Sequence, residues 1–327
     1  MKAAVLKGIR DLVIEEVLEP TSLAPGMVRV EVKAVGICGS DVHYYQEGAI
    51  GSFVLESPMI LGHEVGGIVV ATGEGVSIPV GAVVALEPGI PCQHCRHCKS
   101  GEYNLCPDVS FFATPPVDGA MTRYVDHPAE YTFLADGLTP DEASLAEPMS
   151  VGVYGVRKAN IHLGDSVAIM GAGPVGLLTA LAAESEGGRV QLFDVVKERV
   201  EFARRLGFEA RLFGETGTEY DVVMDCSGNK NALEFAVGHV RRGGKLVLIG
   251  MGTKEGMQLS GLDLCLRGIS VEGIFRYANT FPAAIELIRR HREKLAEFTK
   301  VHISLDELPD YLSTGRYKES LKTIVDI

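Results

Sequence analysis

Five of the seven cysteines occupy positions whose spacing could bind metal ions. Cys92, Cys95, Cys98 and Cys106 lie in one short run, CQHCRHCKSGEYNLC, with the spacing C-x2-C-x2-C-x7-C. Four thiolates can close a tetrahedron around zinc and leave no position open for a substrate. The spacing therefore predicts a structural zinc site. Because the chain is acidic overall and no basic recognition helix adjoins the run, a nucleic-acid zinc module is disfavoured.

A second candidate set combines sulfur, nitrogen and oxygen. Cys38 lies in VGICGSDVH, and His63 and Glu64 lie in ILGHEVGG. Mixed ligands of this kind are typical of open catalytic zinc sites. Taken alone, Cys38 could be a buried structural thiol and His63–Glu64 a satisfied polar pair, but their occurrence beside the other motifs favours the metal site. Glu147, another acid in apolar surroundings, needs a cation or a proton to offset its desolvation.

A third motif predicts a dinucleotide site. The run Gly171-Ala172-Gly173-Pro174-Val175-Gly176 fits G-x-G-x-x-G, follows an apolar strand and opens a helix, and Asp194 ends the next strand. The first glycine permits a tight turn, the second lets the pyrophosphate approach the backbone, and the third lets helix and strand pack closely. Asp194 should accept hydrogen bonds from the ribose hydroxyls, which favours NAD over NADP. Arg199 leaves alternatives open, since it could bind a phosphate, pair with Asp194 or stack on adenine.

The elements around these motifs predict two domains. The chain has 327 residues, 46% of them hydrophobic, and a formal charge of −12. Residues 1 to about 150 read as short strands with a helix after Thr139, including a glycine-rich turn at Cys38. From Gly164 onward strands alternate with helices, which predicts a doubly wound parallel sheet. FPAAIELIRRHREKL (281–295) predicts one amphipathic helix, YKESLKTIVDI (317–327) ends as a strand, and Cys226 and Cys265 are expected to be buried core thiols.

Composition also restricts the partners. Apolar runs are too short for a membrane helix, and the N-terminus lacks the pattern of a secretory signal. We therefore expect a cytoplasmic protein that keeps its thiols reduced, acts on a small molecule, and binds neither nucleic acid nor membrane.

Together these motifs resemble the zinc-dependent medium-chain alcohol dehydrogenases, and the resemblance extends along essentially the whole chain. GHE-x-x-G, the four cysteines and GAGPVG carry the general match. GICGSDVHYYQEGAIGSF, LAEPMSVGVYGVRKA and GIFRYANTFPAAIELI resemble the sorbitol/xylitol (polyol) branch more specifically. The resemblance implies an α/β protein with a GroES-like, mainly β catalytic domain (1–150, with a zinc lobe at about 88–107), a Rossmann NAD-binding domain (151–276), and a C-terminal return (277–327).

The resemblance also implies roles for individual residues. Cys38, His63 and Glu64 would bind a catalytic zinc ion with water as fourth ligand. Glu147 would hold that water or the substrate, or exchange with Glu64 as the persistent ligand of the metal. Substrate contacts are implied for Tyr44, Glu147, Arg276 and Tyr277. Cofactor contacts are implied for Gly171, Gly173, Pro174, Val175, Gly176, Asp194, Arg199, Ile249, Gly250, Met251, Ile274, Phe275 and Arg276.

We therefore predict an NAD-dependent enzyme with two zinc ions per subunit that oxidises a linear polyol at C2 to the ketose. The proton would leave through water held by Glu147 or along Ser40 and His43. A homo-oligomer, tetramer or dimer, is expected from the resemblance. One alternative is a related zinc dehydrogenase acting on L-threonine, a vicinal diol or a sugar acid. Another is a non-catalytic protein that binds zinc and nucleotide.

Overall fold

A computed structural model describes residues 1–214, 218–252 and 259–327 of the protein. The chain divides into two compact units. One contains Met1–Glu147 together with Phe281–Ile327, and the other contains Pro148–Thr280. In the described ranges no helix is both long enough and apolar enough to span a bilayer.

The N-terminal part of the first unit is mostly β structure. Its strands are β1 (Lys2–Gly8), β2 (Asp11–Glu16), β3 (Met27–Gly36), β4 (Ala49–Ile50), β5 (Phe53–Val54), β6 (Met59–Ile60), β7 (Glu64–Thr72), β8 (Val83–Leu86), β9 (Gly89–Ile90), β10 (Ser110–Phe111), β11 (Tyr124–Pro128) and β12 (Thr132–Leu134). Its helices are α1 (Gly39–Glu47), α2 (Arg96–Lys99) and α3 (Pro140–Ser144), and α4 (Ala146–Ala159) begins at its end. The predicted turn at Cys38 thus continues into a helix of nine residues, which the sequence analysis missed.

The second unit alternates strands and helices. It contains β13 (Ser166–Met170), α5 (Pro174–Ser185), β14 (Arg189–Asp194), α6 (Lys197–Arg205), β15 (Glu209–Leu212), β16 (Tyr220–Asp225), α7 (Lys230–His239), β17 (Val240–Leu248), α8 (Gly261–Arg267) and β18 (Ser270–Gly273). Its parallel sheet has the strand order β15-β14-β13-β16-β17-β18. The order reverses between β13 and β16, and ligands of doubly wound sheets bind at such a reversal.

The C-terminal segment completes the first unit. It contains α9 (Phe281–Arg290), α10 (Arg292–Leu295), β19 (His302–Ser304), α11 (Leu308–Ser313) and β20 (Ile324–Asp326). The prediction of one helix over 281–295 was wrong, because the backbone departs from helical geometry at His291 (φ −118°, ψ 26°).

A seven-stranded sheet forms the centre of the first unit. Its order is β12-β8-β7-β3-β20-β19, and β11 also pairs with β3. Strand β3 alternates buried and partly exposed residues along most of its length, as the period-two pattern of its sequence predicts. Side chains such as Val30, Val32, Val65 and Leu86 form one core with residues of the C-terminal segment, including Val325.

The prediction of a buried Cys265 was wrong. Helix α8, which carries it, has no buried residue among its seven, and its Leu262 and Leu266 are also exposed. Within α8 only Leu264 packs against the core of the second unit, while Leu262, Cys265 and Leu266 lie on the surface. Cys226 is less exposed than Cys265. Burial raises the pKa of its thiol to about 12, and its sulfur lies 3.7 Å from the Thr179 hydroxyl.

Candidate metal centres and nucleotide site

Strand pairing brings the mixed sulfur, nitrogen and oxygen set together. Cys38 caps helix α1 just after β3, and His63 immediately precedes β7. Because β3 and β7 are antiparallel and Gly36 pairs with Glu64, the two segments meet at one end of the sheet. One ligand atom each from Cys38, His63 and Glu64 lies within 4.8 Å of the others.

Asp41 supports this cluster and was missed by the sequence analysis. Its carboxylate accepts hydrogen bonds from the backbone N–H of Cys38 (2.9 Å) and of Gly62 (3.2 Å), and one oxygen lies 3.7 Å from His63 Nδ1. The side chain is only 1% exposed. Asp41 thus holds the two segments in register, as a carboxylate behind a metal-binding histidine often does. The available signal was an acid at the third position of a helix.

Lys322 is the second residue that the sequence analysis missed. Its ammonium group forms a buried ion pair with Glu64 and donates a hydrogen bond of 2.9 Å to the carbonyl of Ile37. The pair occupies the space next to Gly36, where a Cβ atom would overlap the Glu64 carboxylate. Glycine at this position therefore leaves room for the ion pair, and no local signal linked Lys322 to a residue so distant in sequence.

The electrostatics of the cluster suit a divalent cation. Burial lowers the pKa of His63, but the negative charges of Asp41 and Cys38 outweigh this effect and hold the pKa well above its ordinary value. Burial also lowers the pKa of Lys322, and the charge of Glu64 again raises it overall. A site that stabilises two buried cations in this way would also attract a metal ion. Its thiolate, imidazole and carboxylate are the donors that catalytic zinc uses.

Glu147 lies close enough to this cluster to act on it electrostatically. It is 6% exposed, and its charge is among the causes that raise the pKa values of His63 and Lys322. Its proximity is consistent with the predicted role beside the metal.

The other predicted residues of the first unit lie on helix α1. Ser40 and His43 are partly buried, and Tyr44 is 3% exposed. His43 Nε2 lies 3.3 Å from a carboxylate oxygen of Glu47. The helix thus carries all three residues directly after Cys38.

The four cysteines form a second, separate cluster. One sulfur from each lies within 4.8 Å of the others, with Sγ–Sγ distances of 3.4 Å for Cys95–Cys98 and 3.9 Å for Cys92–Cys98. Corners of a tetrahedron with 2.3 Å zinc–sulfur bonds are about 3.8 Å apart, so this spacing fits zinc.

The thiols of this cluster do not ionise equally. The backbone N–H of His94 lowers the pKa of Cys92 to about 6, whereas burial and a neighbouring sulfur raise that of Cys98 to about 12. Ionisation of all four thiols therefore requires a bound cation.

The glycine motif of the second unit forms the turn that opens helix α5. Gly173 caps helix α5 and Pro174 opens it, so N–H groups of the first turn are available to a phosphate. A Cβ atom on Gly176 would overlap the carbonyl oxygen of Gly171, so only glycine permits this close packing. Val175 lies in the same first turn and is partly buried.

Asp194 is fixed at the end of β14. Its two carboxylate oxygens accept hydrogen bonds of 2.8 Å from the backbone N–H groups of Ala172 and Val196. Of the alternatives for Arg199, the structure shows the ion pair with Asp194. Arg199 Nη1 lies 3.9 Å from Asp194 Oδ2. Each oxygen keeps a second lone pair that could accept from a ribose hydroxyl.

The remaining predicted contacts follow β17 and β18. Ile249 and Gly250 both donate their N–H groups to the carbonyl of Asp225, and Met251 is 62% exposed. After β18, Ile274 donates to the carbonyl of Leu248, and Phe275 is exposed.

Arg276 and Tyr277 lie in the same segment. Arg276 adopts a left-handed backbone conformation (φ 52°), which is uncommon for a non-glycine residue, and its guanidinium lies over the ring of Phe275. Tyr277 is 3% exposed.

Known proteins share these features. Residues 24–137 match the family described as alcohol dehydrogenase GroES-like domain, and residues 174–290 match zinc-binding dehydrogenase. Sorbitol dehydrogenase of Bacillus subtilis is 40% identical over 342 residues, covering 99% of this chain and 97% of that protein. A probable D-xylulose reductase A of Aspergillus terreus is 37% identical, covering 98% of this chain and 96% of that protein.

Solved structures are also similar to this chain. The 2R,3R-butanediol dehydrogenase of Bacillus subtilis superposes with a TM-score of 0.89 at 30% identity, covering 100% of this chain and 99% of that one. Fold, motifs and relatives define an oxidoreductase made of a GroES-like domain and a Rossmann-type nucleotide-binding domain. The chain belongs to the zinc-dependent medium-chain alcohol dehydrogenase family, in its polyol branch.

Proposed function

We propose that the protein is an NAD-dependent zinc dehydrogenase that oxidises a linear polyol of the sorbitol or xylitol type at C2 to the ketose. The observation that carries this proposal is the cluster of a partly buried Cys38 with the buried His63 and Glu64, on which the charge of the buried Glu147 acts. Relatives named sorbitol dehydrogenase and D-xylulose reductase support the substrate class.

The reaction removes a hydride from carbon and a proton from the hydroxyl oxygen. Zinc bound to Cys38, His63 and Glu64 would supply a Lewis acid that favours loss of the hydroxyl proton, and NAD would supply the hydride acceptor. Asp41 keeps the imidazole of His63 oriented, because it lies beside Nδ1. Glu147 would hold the substrate hydroxyl or the water that takes its proton, and Ser40 and His43 are the proposed onward route.

Substrate contacts by Tyr44, Arg276 and Tyr277 are proposed from the resemblance. Sites that hydrogen-bond a substrate hydroxyl reject analogues lacking it strongly. Tyrosine and arginine at these positions therefore favour polyols over simple alcohols.

In the second unit we propose that the glycine turn holds the pyrophosphate and Asp194 the adenosine ribose. The contacts proposed for the segments 249–251 and 274–276 complete this site. Asp194→Ala should reduce the preference for NAD over NADP about tenfold, because the carboxylate repels a 2′-phosphate. The ratio of kcat/KM values for the two cofactors measures it, and an unchanged ratio rejects the role of Asp194.

We also propose two zinc ions per subunit, residues 1–150 and 277–327 as catalytic domain, and residues 151–276 as NAD-binding domain. A cytoplasmic location fits a four-cysteine site that binds metal only through reduced thiols. A homo-oligomer is supported by the edge strand β18, since Val271 on it and Leu262 and Leu266 on α8 are exposed. The proposed state is a tetramer or a dimer.

The test is a substrate panel with purified protein. NAD reduction should be observed with sorbitol, xylitol, arabitol or galactitol, and metal analysis should give about two zinc ions per chain. Oxidation of L-threonine, a vicinal diol or a sugar acid alone would instead select the related dehydrogenases. One zinc per chain and no turnover of any alcohol would select a non-catalytic binder.

A further inference from the structure

A hydrogen bond connects the four-cysteine segment to a buried carboxyl group in the core of the same unit. Tyr103 lies in a short 3-10 helix (Tyr103–Leu105) between Cys98 and Cys106. Its hydroxyl donates a hydrogen bond of 2.8 Å to Glu87 Oε1. Glu87 is only 2% exposed. The Tyr103 hydroxyl therefore supplies a hydrogen bond to a carboxyl group that water reaches poorly.

Glu87 is also close in the sheet to the strand that carries Glu64. It directly follows β8, whose Leu86 pairs with Val65, the residue after Glu64. Burial and, to a smaller extent, the negative charge of Glu147 raise the pKa of Glu87 to about 7, although the hydrogen bond from Tyr103 lowers it. Glu87 therefore interacts both with the cysteine segment and with Glu147.

The backbone of Glu87 is held independently of Tyr103. Its N–H donates to the carbonyl of Tyr131 (2.9 Å), and its carbonyl accepts from the buried ring of His127 (3.0 Å). Loss of the tyrosine hydroxyl would therefore leave the backbone in place and free the carboxyl group to turn.

A second contact joins the same two regions. Strands β9 and β10 form a hairpin that encloses the cysteine segment, with Gly89 opposite Phe111. The ring of Phe111 lies 6.0 Å from the ring of His63, centroid to centroid. The hairpin at the base of the four-cysteine segment thus contacts His63 of the mixed cluster, and Tyr103 of the segment contacts Glu87.

We propose that Tyr103 and Glu87 are positioning residues for the dehydrogenase reaction, because their hydrogen bond links the four-cysteine segment, whose hairpin base contacts His63, to the carboxyl group that interacts with Glu147. The inference rests on the proposed function. Without the tyrosine hydroxyl, the buried carboxyl group of Glu87 loses its donor and turns, while its backbone stays in place. This turn changes the surroundings of Glu147, so the four-cysteine segment tunes catalysis besides stabilising the fold.

The first test compares Tyr103→Phe with the control Tyr124→Phe, which alters a tyrosine on β11 of the same unit. We expect Tyr103→Phe to keep two zinc ions and an unchanged KM for NAD, while kcat with a polyol falls about tenfold, the lower end of losses on removing outer partners of metal sites. The control should keep kcat within about twofold. A lower Tm with unchanged kcat would show a merely structural role and overturn the proposal.

The second test is a double-mutant cycle with Glu87. Glu87→Gln keeps an oxygen that can accept from Tyr103 and should retain kcat within about twofold. Glu87→Ala should lose about as much as Tyr103→Phe, and the double variant Tyr103→Phe/Glu87→Ala should lose no more than either. Losses that multiply in the double variant would overturn the proposal.

Zinc release separates this proposal from the proposed function. The release is followed with a chelating dye, and the kinetic phase that is absent in Cys38→Ser reports zinc leaving the mixed cluster. The rate of this phase should be about tenfold higher in Tyr103→Phe. An unchanged rate would contradict the positioning role. A wild-type protein without polyol activity but with accelerated zinc release in Tyr103→Phe would refute only the proposed substrate.

Discussion

The two metal-binding clusters of the first unit are built in opposite ways. The four cysteines come from fifteen consecutive residues, and only Cys106 among them is buried. Cys38, His63 and Glu64 come from separate segments, and Lys322 near the C-terminus neutralises Glu64. A local cluster with identical ligands can fold around its ion, whereas the mixed cluster depends on the sheet that assembles it.

The comparison predicts that removing a ligand from each cluster has different consequences for stability and for catalysis. Loss of the local cluster should mainly destabilise the protein, because structural zinc contributes folding free energy. Loss of the mixed cluster should mainly abolish the reaction, because the surrounding sheet holds its position without the ion.

The largest effect is expected for Cys38→Ser. Loss of the thiolate should remove the zinc of the mixed cluster and lower kcat/KM for a polyol by more than ~10³-fold, since Lewis-acid catalysis supplies several kcal/mol. Zinc content should fall from two ions to one, with NAD affinity unchanged by fluorescence titration.

The control for Cys38→Ser is Cys265→Ser, which alters an exposed thiol. Its zinc content and kcat should match the wild type. Turnover retained by Cys38→Ser would contradict the catalytic assignment.

The next effect is expected for Cys98→Ser. One zinc ion should again be lost, but the main result should be a Tm lower by about 10 °C, corresponding to several kcal/mol for a unit of this size. Calorimetry measures the shift, with Cys265→Ser once more as control. If Cys98→Ser were as stable as the wild type, the four cysteines would have no structural role.

An intermediate effect is expected for Lys322→Met. Removal of one partner of a buried ion pair costs about 3–5 kcal/mol, because Glu64 keeps an uncompensated charge. Without zinc the Tm should fall by about 10 °C, and added zinc should restore most of it, since the metal can replace the lost cation.

Lys33→Met provides the matched control for Lys322→Met. Lys33 pairs with Glu31 at 2.9 Å on β3, but the lysine side chain is 38% exposed. Its Tm should change little with or without zinc. Equal losses for Lys322→Met in zinc and in chelator would show that the ion does not take over the role of Lys322.

The smallest effect concerns a third group of metal-type residues, Asp141, His302 and Asp326. His302 Nδ1 lies 2.8 Å from Asp326, and Nε2 lies 2.9 Å from the carbonyl of Thr299. Partial burial lowers the pKa of His302, but these two partners raise it overall. Both ring nitrogens thus face oxygen acceptors, which favours the protonated imidazole.

The raised pKa of His302 in the folded state determines how its contribution to stability changes with pH. The stabilisation by His302 is fully present below its ordinary pKa of about 6.5 and is lost as pH rises through the raised value. The Tm difference between wild type and His302→Gln should be at most about 2 °C at pH 5.5, because such pairs are partly exposed, and it should shrink towards pH 8.5. A difference that grows with pH would contradict this charge assignment.

A site can be predicted from the sequence when its residues lie close together along the chain. The four cysteines and the glycine motif lie in short segments whose spacing sets their geometry, so both were recognised from the sequence. Helix α1 was missed, because nine residues after a glycine turn give little helical periodicity. Cys265 was misjudged, because apolar neighbours indicate burial only when another element covers them.

The sequence by itself determined the alternation of strands and helices, the zinc-type cysteine spacing and the nucleotide turn, because each depends on local periodicity or on ligands a few residues apart. Only the tertiary structure decided that Lys322 faces Glu64, that Gly36 leaves the space between them, and that Tyr103 donates to Glu87. The first two arise from antiparallel pairing of β3 with β7 and β20, and the third from the β9–β10 hairpin that encloses the cysteine segment. A buried charge must find its partner wherever the fold places one.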